Sequence, residues 1–412
     1  ERSIQLPDFK TDKEIEIKFL NHASLLVTTS DFKFATDPWL TGQAFSTGWW
    51  LKYKTPDNWQ EELNSCDFLY ISHTHPDHLH PETLESVDRK MPILISDFDS
   101  QSSENYLKSL GFKNLIKLKY QESLINQKKE IFFTVLKSGD FRDDSGLLFQ
   151  YGNFSALFNV DSNYLNFFEL PETLTLVASS FAGGAGPYPV CFENLSEKQK
   201  SIGQLKTNNS LKVVRESLIA RTNPKYFIPY AGFFDEKSSR DHYIKQRNKK
   251  NSFSDYLYLE PKYNLELIDV TNENKHMFQG SRLMESSLID NKIIELNEED
   301  TEEIISNFKK YNSSIDDDFI VQYFKASQFY ENLNLLILLT DDKFEKKYKS
   351  ILVEFSKNND PQVILNYKEE DVTNIYNSNI KNNIKLKIRN EVFINIIKNL
   401  EPWENMTIGF QA

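Results

Sequence analysis

Cysteine is almost missing from this chain: Cys66 and Cys191 are the full complement among 412 residues. Two thiols so far apart argue against a disulfide framework and fit a reducing compartment. Long apolar runs are missing as well. The most apolar uninterrupted stretch, Leu335 to Leu339, falls far short of the roughly 20 residues a bilayer-spanning helix needs, so no membrane partner is expected. No basic and apolar leader opens the sequence, which makes a cytoplasmic location the expectation. Positive charge is scarce: 48 Lys and Arg stand against 60 Asp and Glu, for a formal net charge of -12. Polyanion surfaces rest on Lys and Arg neutralising phosphates, so nucleic acid is not an expected partner. A single nucleotide needs only one local basic pocket. The densest basic run is Arg240, Lys245, Arg247, Lys249 and Lys250, of which Lys245 is the substrate-binding candidate and a solvated helix face the alternative.

Against these absences stands one concentration of chemistry. Four of the seven histidines, His73, His75, His78 and His80, fall within eight positions, three of them in the string His73-Thr74-His75-Pro76-Asp77-His78. The string follows the apolar run Phe68-Leu69-Tyr70-Ile71, and Pro81 with Glu82 then opens a helix, so the cluster sits at the mouth of a strand. Alternate residues of extended chain point the same way, which lets His73 and His75 share one ion while Asp77 and His78 turn toward a second. His80 reads as helix-entry surface, and His276 lies outside the cluster.

The His-x-His-x-Asp-His string resembles the metallo-β-lactamase superfamily, whose fold packs two β-sheets between helices and binds one or two metals along the sandwich edge. Its members include hydrolases, nucleases, lactonases and di-iron oxygen-handling proteins, so the fold does not decide the reaction. Further segments narrow it: Asn21-His22-Ala23-Ser24, Thr36-Asp37-Pro38-Trp39, Gly48-Trp49-Trp50, Ser180-Phe181-Ala182-Gly183-Gly184, Pro229-Tyr230-Ala231-Gly232 and Pro402-Trp403-Glu404. Together these resemble the CMP-N-acetylneuraminate hydroxylase family, which hydroxylates the N-acetyl methyl group of a sugar nucleotide. The vertebrate hydroxylase carries a Rieske iron–sulfur domain, whose ligands are two Cys and two His at close spacing. This sequence has no Cys-x-His. Either electrons arrive from a separate partner, or a domain was lost or removed, or the chemistry needs no Rieske centre.

The resemblance implies a ligand set of His73, His75, Asp77, His78 and Asp161, the last bridging two ions; a strand-end Asp capping a turn is the alternative reading of Asp161. The third histidine of the superfamily pattern is absent from the Ser138-Gly139-Asp140-Phe141 loop, where Asp140 can substitute. The late histidine is absent too, since Tyr230-Ala231 occupies its place; His242, Asp235 or Glu236 can reach in, or the position is open, or one metal binds. Oxygen donors harden such a site and favour iron or manganese over zinc; iron is the expected metal and zinc the alternative. His22 and Asp37 stand near the metal mouth as supports of the ligands, and Asp77 and His78 are the catalytic candidates. Gly183 and Gly184 allow close backbone approach to a phosphate or carboxylate, and Trp50 and Tyr188 can wall a sugar or base. A tight structural loop and core packing are the plainer readings of those four.

Strands are expected at 14–19, 25–28, 33–36, 68–72, 93–96, 115–119, 131–137, 147–151, 155–160, 174–178 and 225–229, with helices at 81–89, 103–110 and about 196–221. The fold class is α+β: an αββα sandwich over residues 1–262 with a C-terminal α/β domain over 263–412. That domain is Asn-, Lys- and Ile-rich, with helices at 298–311 and 392–400, strands at 335–339 and 363–367, and a loose similarity to a sterol-carrier-type fold. The expected function is a non-haem iron oxygenase that hydroxylates a sugar-nucleotide-like small molecule with electrons from an external donor. The alternative is a metal-dependent hydrolase of a phosphodiester, lactone or amide.

Overall fold

Phenylalanine makes the contact between the two main sheets. Phe34 lies at 5.7 Å from Phe133, 5.5 Å from Phe149 and 6.3 Å from Phe158 by ring centroids, joining one sheet to the other through edge-on pairs. The computed structural model describes residues 4–120, 122–289, 297–368 and 382–412. Its architecture is the expected α+β one, an αββα sandwich followed by an α/β unit.

The first sheet has eight strands, in the order Arg282–Ser287, Lys275–Gln279, Glu14–Asn21, Ser24–Thr29, Lys33–Thr36, Phe68–Tyr70, Ile93–Ser96 and Leu115–Leu118. The second has seven, in the order Glu266–Leu267, Tyr226–Tyr230, Leu176–Ser180, Phe154–Val160, Ser145–Tyr151, Ile131–Lys137 and Ser123–Asn126. Each sheet is part parallel, and its parallel strands present their C-terminal ends at one edge of the sandwich. In such sheets, ligand sites gather at those ends. The outer face of the first sheet is covered by short helices around Leu63, Leu84 and Leu107, which form a separate apolar cluster. The 26-residue helix Glu197–Thr222 opens with the reciprocal Ser196–Gln199 cap and closes on Asn223 in the left-handed region, so its boundaries are fixed locally.

The sandwich continues past the change in composition at about residue 262. Glu266–Leu267 joins the second sheet, and Lys275–Gln279 pairs antiparallel with Glu14–Asn21, so the strands of the sandwich run to Ser287. Strand Phe68–Tyr70 ends earlier than its apolar run suggests, because the Ser72 amide is diverted to Asp37 Oδ1 at 2.7 Å. The C-terminal unit has a four-stranded sheet, Asn359–Leu365, Lys347–Ser356, Leu333–Thr340 and Asn383–Arg389, packed on helices Asp317–Lys325 and Asn390–Asn399. Its near-continuous apolar strand Leu333–Thr340 is paired on both sides, as such a strand should be.

Two features tie this unit to the sandwich. Arg389, fully buried, places Nη1 at 2.6 Å from Asp241 Oδ1 and at 2.8 Å from Gln411 Oε1, with Nε on the Asp342 carbonyl at 3.0 Å. The terminal segment then returns to the sandwich: Trp49 Nε1 donates to the Ile408 carbonyl at 3.1 Å, and Phe410 packs in an aromatic cluster with Trp39 and Trp49. Gly48 and Gly409 meet backbone to backbone, leaving no room for a side chain at either position.

Removing one partner of a buried pair leaves an uncompensated charge, so Arg389→Ala is expected to cost about 3–5 kcal/mol, read from the urea midpoint. A second prediction concerns pH. His276 is buried on its strand, and burial pushes its pKa down to about 4 from 6.5. The unfolded chain therefore takes up this proton more readily than the fold does. The neutral imidazole's contribution is complete above pH 6.5 and is lost as pH falls toward 4. In urea titrations across that window, His276→Gln should lose stability less steeply than the parent.

Candidate metal centre

The site is built from strand ends. Asp37 follows strand Lys33–Thr36, the histidine loop follows strand Phe68–Tyr70, Asp161 follows strand Phe154–Val160, and His22 sits in the turn between the first two strands of the chain. His22, Asp37 and Val160 adopt positive φ of 42°, 37° and 52°. Such backbone is strained for residues with a side chain, and strain of this kind gathers at functional sites. The loop is folded back on itself by the amides of His78 and Leu79, both donating to the His75 carbonyl at 2.9 and 2.8 Å. This turn drives Asp77 and His78 inward.

Two sets of three side chains bring their ligand atoms within 4.8 Å of one another: His22, Asp77 and His78, and His73, His78 and Asp161. His78 belongs to both. Its Nε2 lies 3.3 Å from Asp77 Oδ2 and 3.4 Å from Asp161 Oδ2, and its Nδ1 lies 3.3 Å from Asp37 Oδ2. His22 Nε2 reaches Asp77 Oδ2 at 3.1 Å. His78 is fully buried whereas the Asp161 side chain is 27% exposed, so the site opens to solvent beside Asp161.

The charge distribution suits a cation. Burial opposes a charged His78, yet Asp77 and Asp161 overcome it and hold the imidazole well above its usual pKa. Burial likewise opposes ionisation of Asp77 and Asp161, but His78, with His22 and His73 respectively, holds both carboxyls below the usual range. His73 is pushed well below by burial and then by His78 and His75. Several buried polar atoms here, including both nitrogens of His78, Asp77 Oδ1, Asp37 Oδ2 and His22 Nδ1, have no well-directed hydrogen-bond partner among the described residues. Groups of that kind are costly to bury unless something binds them. An N/O donor set with carboxylates and no thiolate fits a non-haem iron or related divalent ion. Cys66 lies in the outer apolar cluster, its thiol pushed up to about 12 by burial.

The structure brings most of the expected ligands to one place. His73 converges with His78 and Asp161, and its Nε2 also meets His75 Nδ1 at 2.8 Å. His75 Nε2, on the far side of its ring, lies 3.3 Å from Glu404 Oε1, a carboxylate of the C-terminal segment. Asp140 belongs to neither group. It is occupied by Arg142 Nε at 2.9 Å and Ser138 Oγ at 3.0 Å. The buried carboxyl of the loop is Asp144, 2.9 Å from Arg142 Nη1, with burial pushing its pKa up to about 6. Arg142 also donates to the Asp161 carbonyl at 3.2 Å. His242 is exposed at the start of helix His242–Arg247, away from both groups, because Asp241 and not His242 faces the interior. Asp235 is held by Lys245, and Glu236 is buried against Lys250.

His22, expected as a support, converges with Asp77 and His78 in one of the two groups, and Asp37 faces His78 from behind. His22 is also walled by indoles, Trp39 at 5.1 Å and Trp49 at 6.5 Å between ring centroids. His80 is buried and caps helix Pro81–Glu85 by accepting from the Thr83 amide. Gly183, Gly184 and Tyr188 line a cavity of about 390 Å³ with Asn163, Asn208 and Lys249. Asn163 of this lining lies two residues beyond Asp161, and its side-chain amide donates to Asp140 at 3.4 Å. Lys245 points elsewhere, to Asp235 at 2.8 Å. Trp50 is buried and lines a separate cavity of about 350 Å³. Sequence reasoning missed Arg142, Asp144 and Glu404. The Pro402-Trp403-Glu404 segment carried a signal, but nothing in the sequence said that it returns to the histidine loop.

Residues 16–143 match the model of the beta-lactamase superfamily domain. The cytidine monophosphate-N-acetylneuraminic acid hydroxylase of Mus musculus is 28% identical, the match covering 97% of this chain and 70% of that protein. The Asterias rubens protein of the same name is 33% identical over 58% of this chain and 37% of its own length. The chain thus spans only part of each relative. Among solved structures, CmlA, a diiron beta-hydroxylase from Streptomyces venezuelae, is 18% identical, covering 65% of this chain and 55% of that one at a TM-score of 0.44.

The two ligand groups give a direct test. His78→Ala should abolish stoichiometric metal binding, because both groups lose their common member, whereas Asp140→Asn should retain it. Elemental analysis of the purified variants reads the difference.

Proposed function

We propose that this protein is an iron-dependent oxygenase that hydroxylates a small molecule of the sugar-nucleotide class, with electrons from a separate donor. The observation that carries the reading is the pair of overlapping His/Asp groups that share the buried His78. His73, His78 and Asp161 would hold one ion, and His22 and Asp77 would hold a second beside it. Bound there, iron supplies dioxygen activation for attack on an unactivated C–H bond. The named relatives are hydroxylases that act on a cytidine monophosphate sugar, which supports the substrate class.

The chain's own residues contribute positioning. Asp37 fixes the far side of His78, and Ser72 fixes Asp37 through its amide. Arg142 ties the Asp140–Asp144 loop to the Asp161 carbonyl, which holds the open side of the site in shape. Glu404 orients His75, so the C-terminal unit completes the rim. The cavity bordered by Gly183, Gly184, Tyr188 and Lys249 is the substrate's place. Both glycines have positive φ, and the room their missing side chains leave is taken by Asn208 and Asn248, which line up beside the loop. Lys249 supplies a charge for a phosphate and Tyr188 a face for a base.

The experiment compares iron-loaded and zinc-loaded protein with a chemical reductant. Oxygen consumption that depends on iron and rises with cytidine monophosphate sugars is the expected outcome. Turnover of a phosphodiester or lactone by the zinc form without oxygen would falsify the oxygenase reading and select a hydrolase.

A further inference from the structure

One buried polar group beside the centre has no role in the description so far. Tyr230 ends the strand Tyr226–Tyr230 and is 0% exposed, and its Oη has no hydrogen-bond partner among the described residues. Buried tyrosine hydroxyls ordinarily find one. Tyr70, equally buried, shows the usual pattern, with its Oη at 2.9 Å from Ser145 Oγ.

The direction of the ring follows from strand register. Phe158 pairs with Ala178, and Ala178 with Ile228, so these three share one face of the second sheet. Phe158 packs against Phe34 of the opposite sheet at 6.3 Å, which makes that face the inner one. Tyr230 lies two residues beyond Ile228 and therefore points the same way, into the space between the sheets at their C-terminal edge. On one side of it the Ala231 amide donates to the His22 carbonyl at 2.9 Å. On the other, two strands away, Asp161 leaves the end of Phe154–Val160. The strand end that carries Tyr230 thus lies between the His22 turn and the strand that delivers Asp161.

We propose that Tyr230 Oη is an oxygen ligand of the metal centre. The assignment rests on the reading of the His/Asp cluster as a metal site. On coordination the phenol O–H bond breaks and an oxygen–metal bond forms, with the proton released to solvent and no change of metal oxidation state.

The test is to load the protein with ferric iron and record iron content and the visible spectrum together. An intense phenolate-to-iron(III) charge-transfer band is expected, with tyrosinate modes in the resonance Raman spectrum of the parent protein. Tyr230→Phe should lose the band while retaining bound iron, and Tyr70→Phe should keep both. Iron bound by the parent without such a band, a band that survives Tyr230→Phe, or a band that disappears with Tyr70→Phe, each overturns the assignment but leaves the metal centre standing. Failure of the parent to bind iron at all overturns the metal-centre reading and the assignment with it. Because the parent spectrum decides by itself whether a phenolate is present, poor folding of the Phe variant does not shield the proposal.

Discussion

The arrangement of this protein depends on one buried imidazole. His78 has no exposure and three carboxylates around it, those of Asp37, Asp77 and Asp161. Each of the three comes from a different segment: one after the third strand, one from the histidine loop itself, and one from the second sheet. A positive centre at this point is therefore what reconciles them. With no positive charge there, three carboxylates would converge in a place with little water, and the mutual repulsion would act on the junction of both sheets.

The same constraint explains why the strand ends are strained. The backbone at His22 and Asp37 is turned into the left-handed region so that these side chains face inward immediately after leaving the sheet. The cost is local, and the apolar layer behind the site is where the fold recovers it. The Phe34 row and its partners on the second sheet hold the two sets of strand ends in register, so the ligands are presented by rigid elements rather than by mobile connections. The C-terminal unit adds to this from outside. Its Arg389–Asp241 contact and its returning segment set Glu404 against His75, which makes the rim a joint product of two folding units.

Much of this was legible in the sequence. Period-two apolar patterns marked most strands of the sandwich, and the clustered histidines after Phe68–Tyr70 marked the edge where the centre lies. What was not legible depended on contacts between distant segments. The convergence of His73 with Asp161 depends on strand ends of two different sheets meeting at one edge, which no local pattern announces. Asp140 and Asp144 are equivalent as letters, and only the position of Arg142 between them decides which is drawn to the surface and which is buried. The change in composition near residue 262 suggested a boundary, yet the strands that complete the first sheet are alternating and partly exposed, so their membership depends on a partner far away in sequence.

The indole wall around His22 has a practical corollary. With Trp39 and Trp49 packed against that imidazole, and Trp49 stacked on Phe234 at 3.5 Å, the chain carries its own optical gauge of the centre. A paramagnetic or charged occupant at His22 alters the emission of both indoles, so intrinsic fluorescence follows occupancy in the native chain without any attached dye.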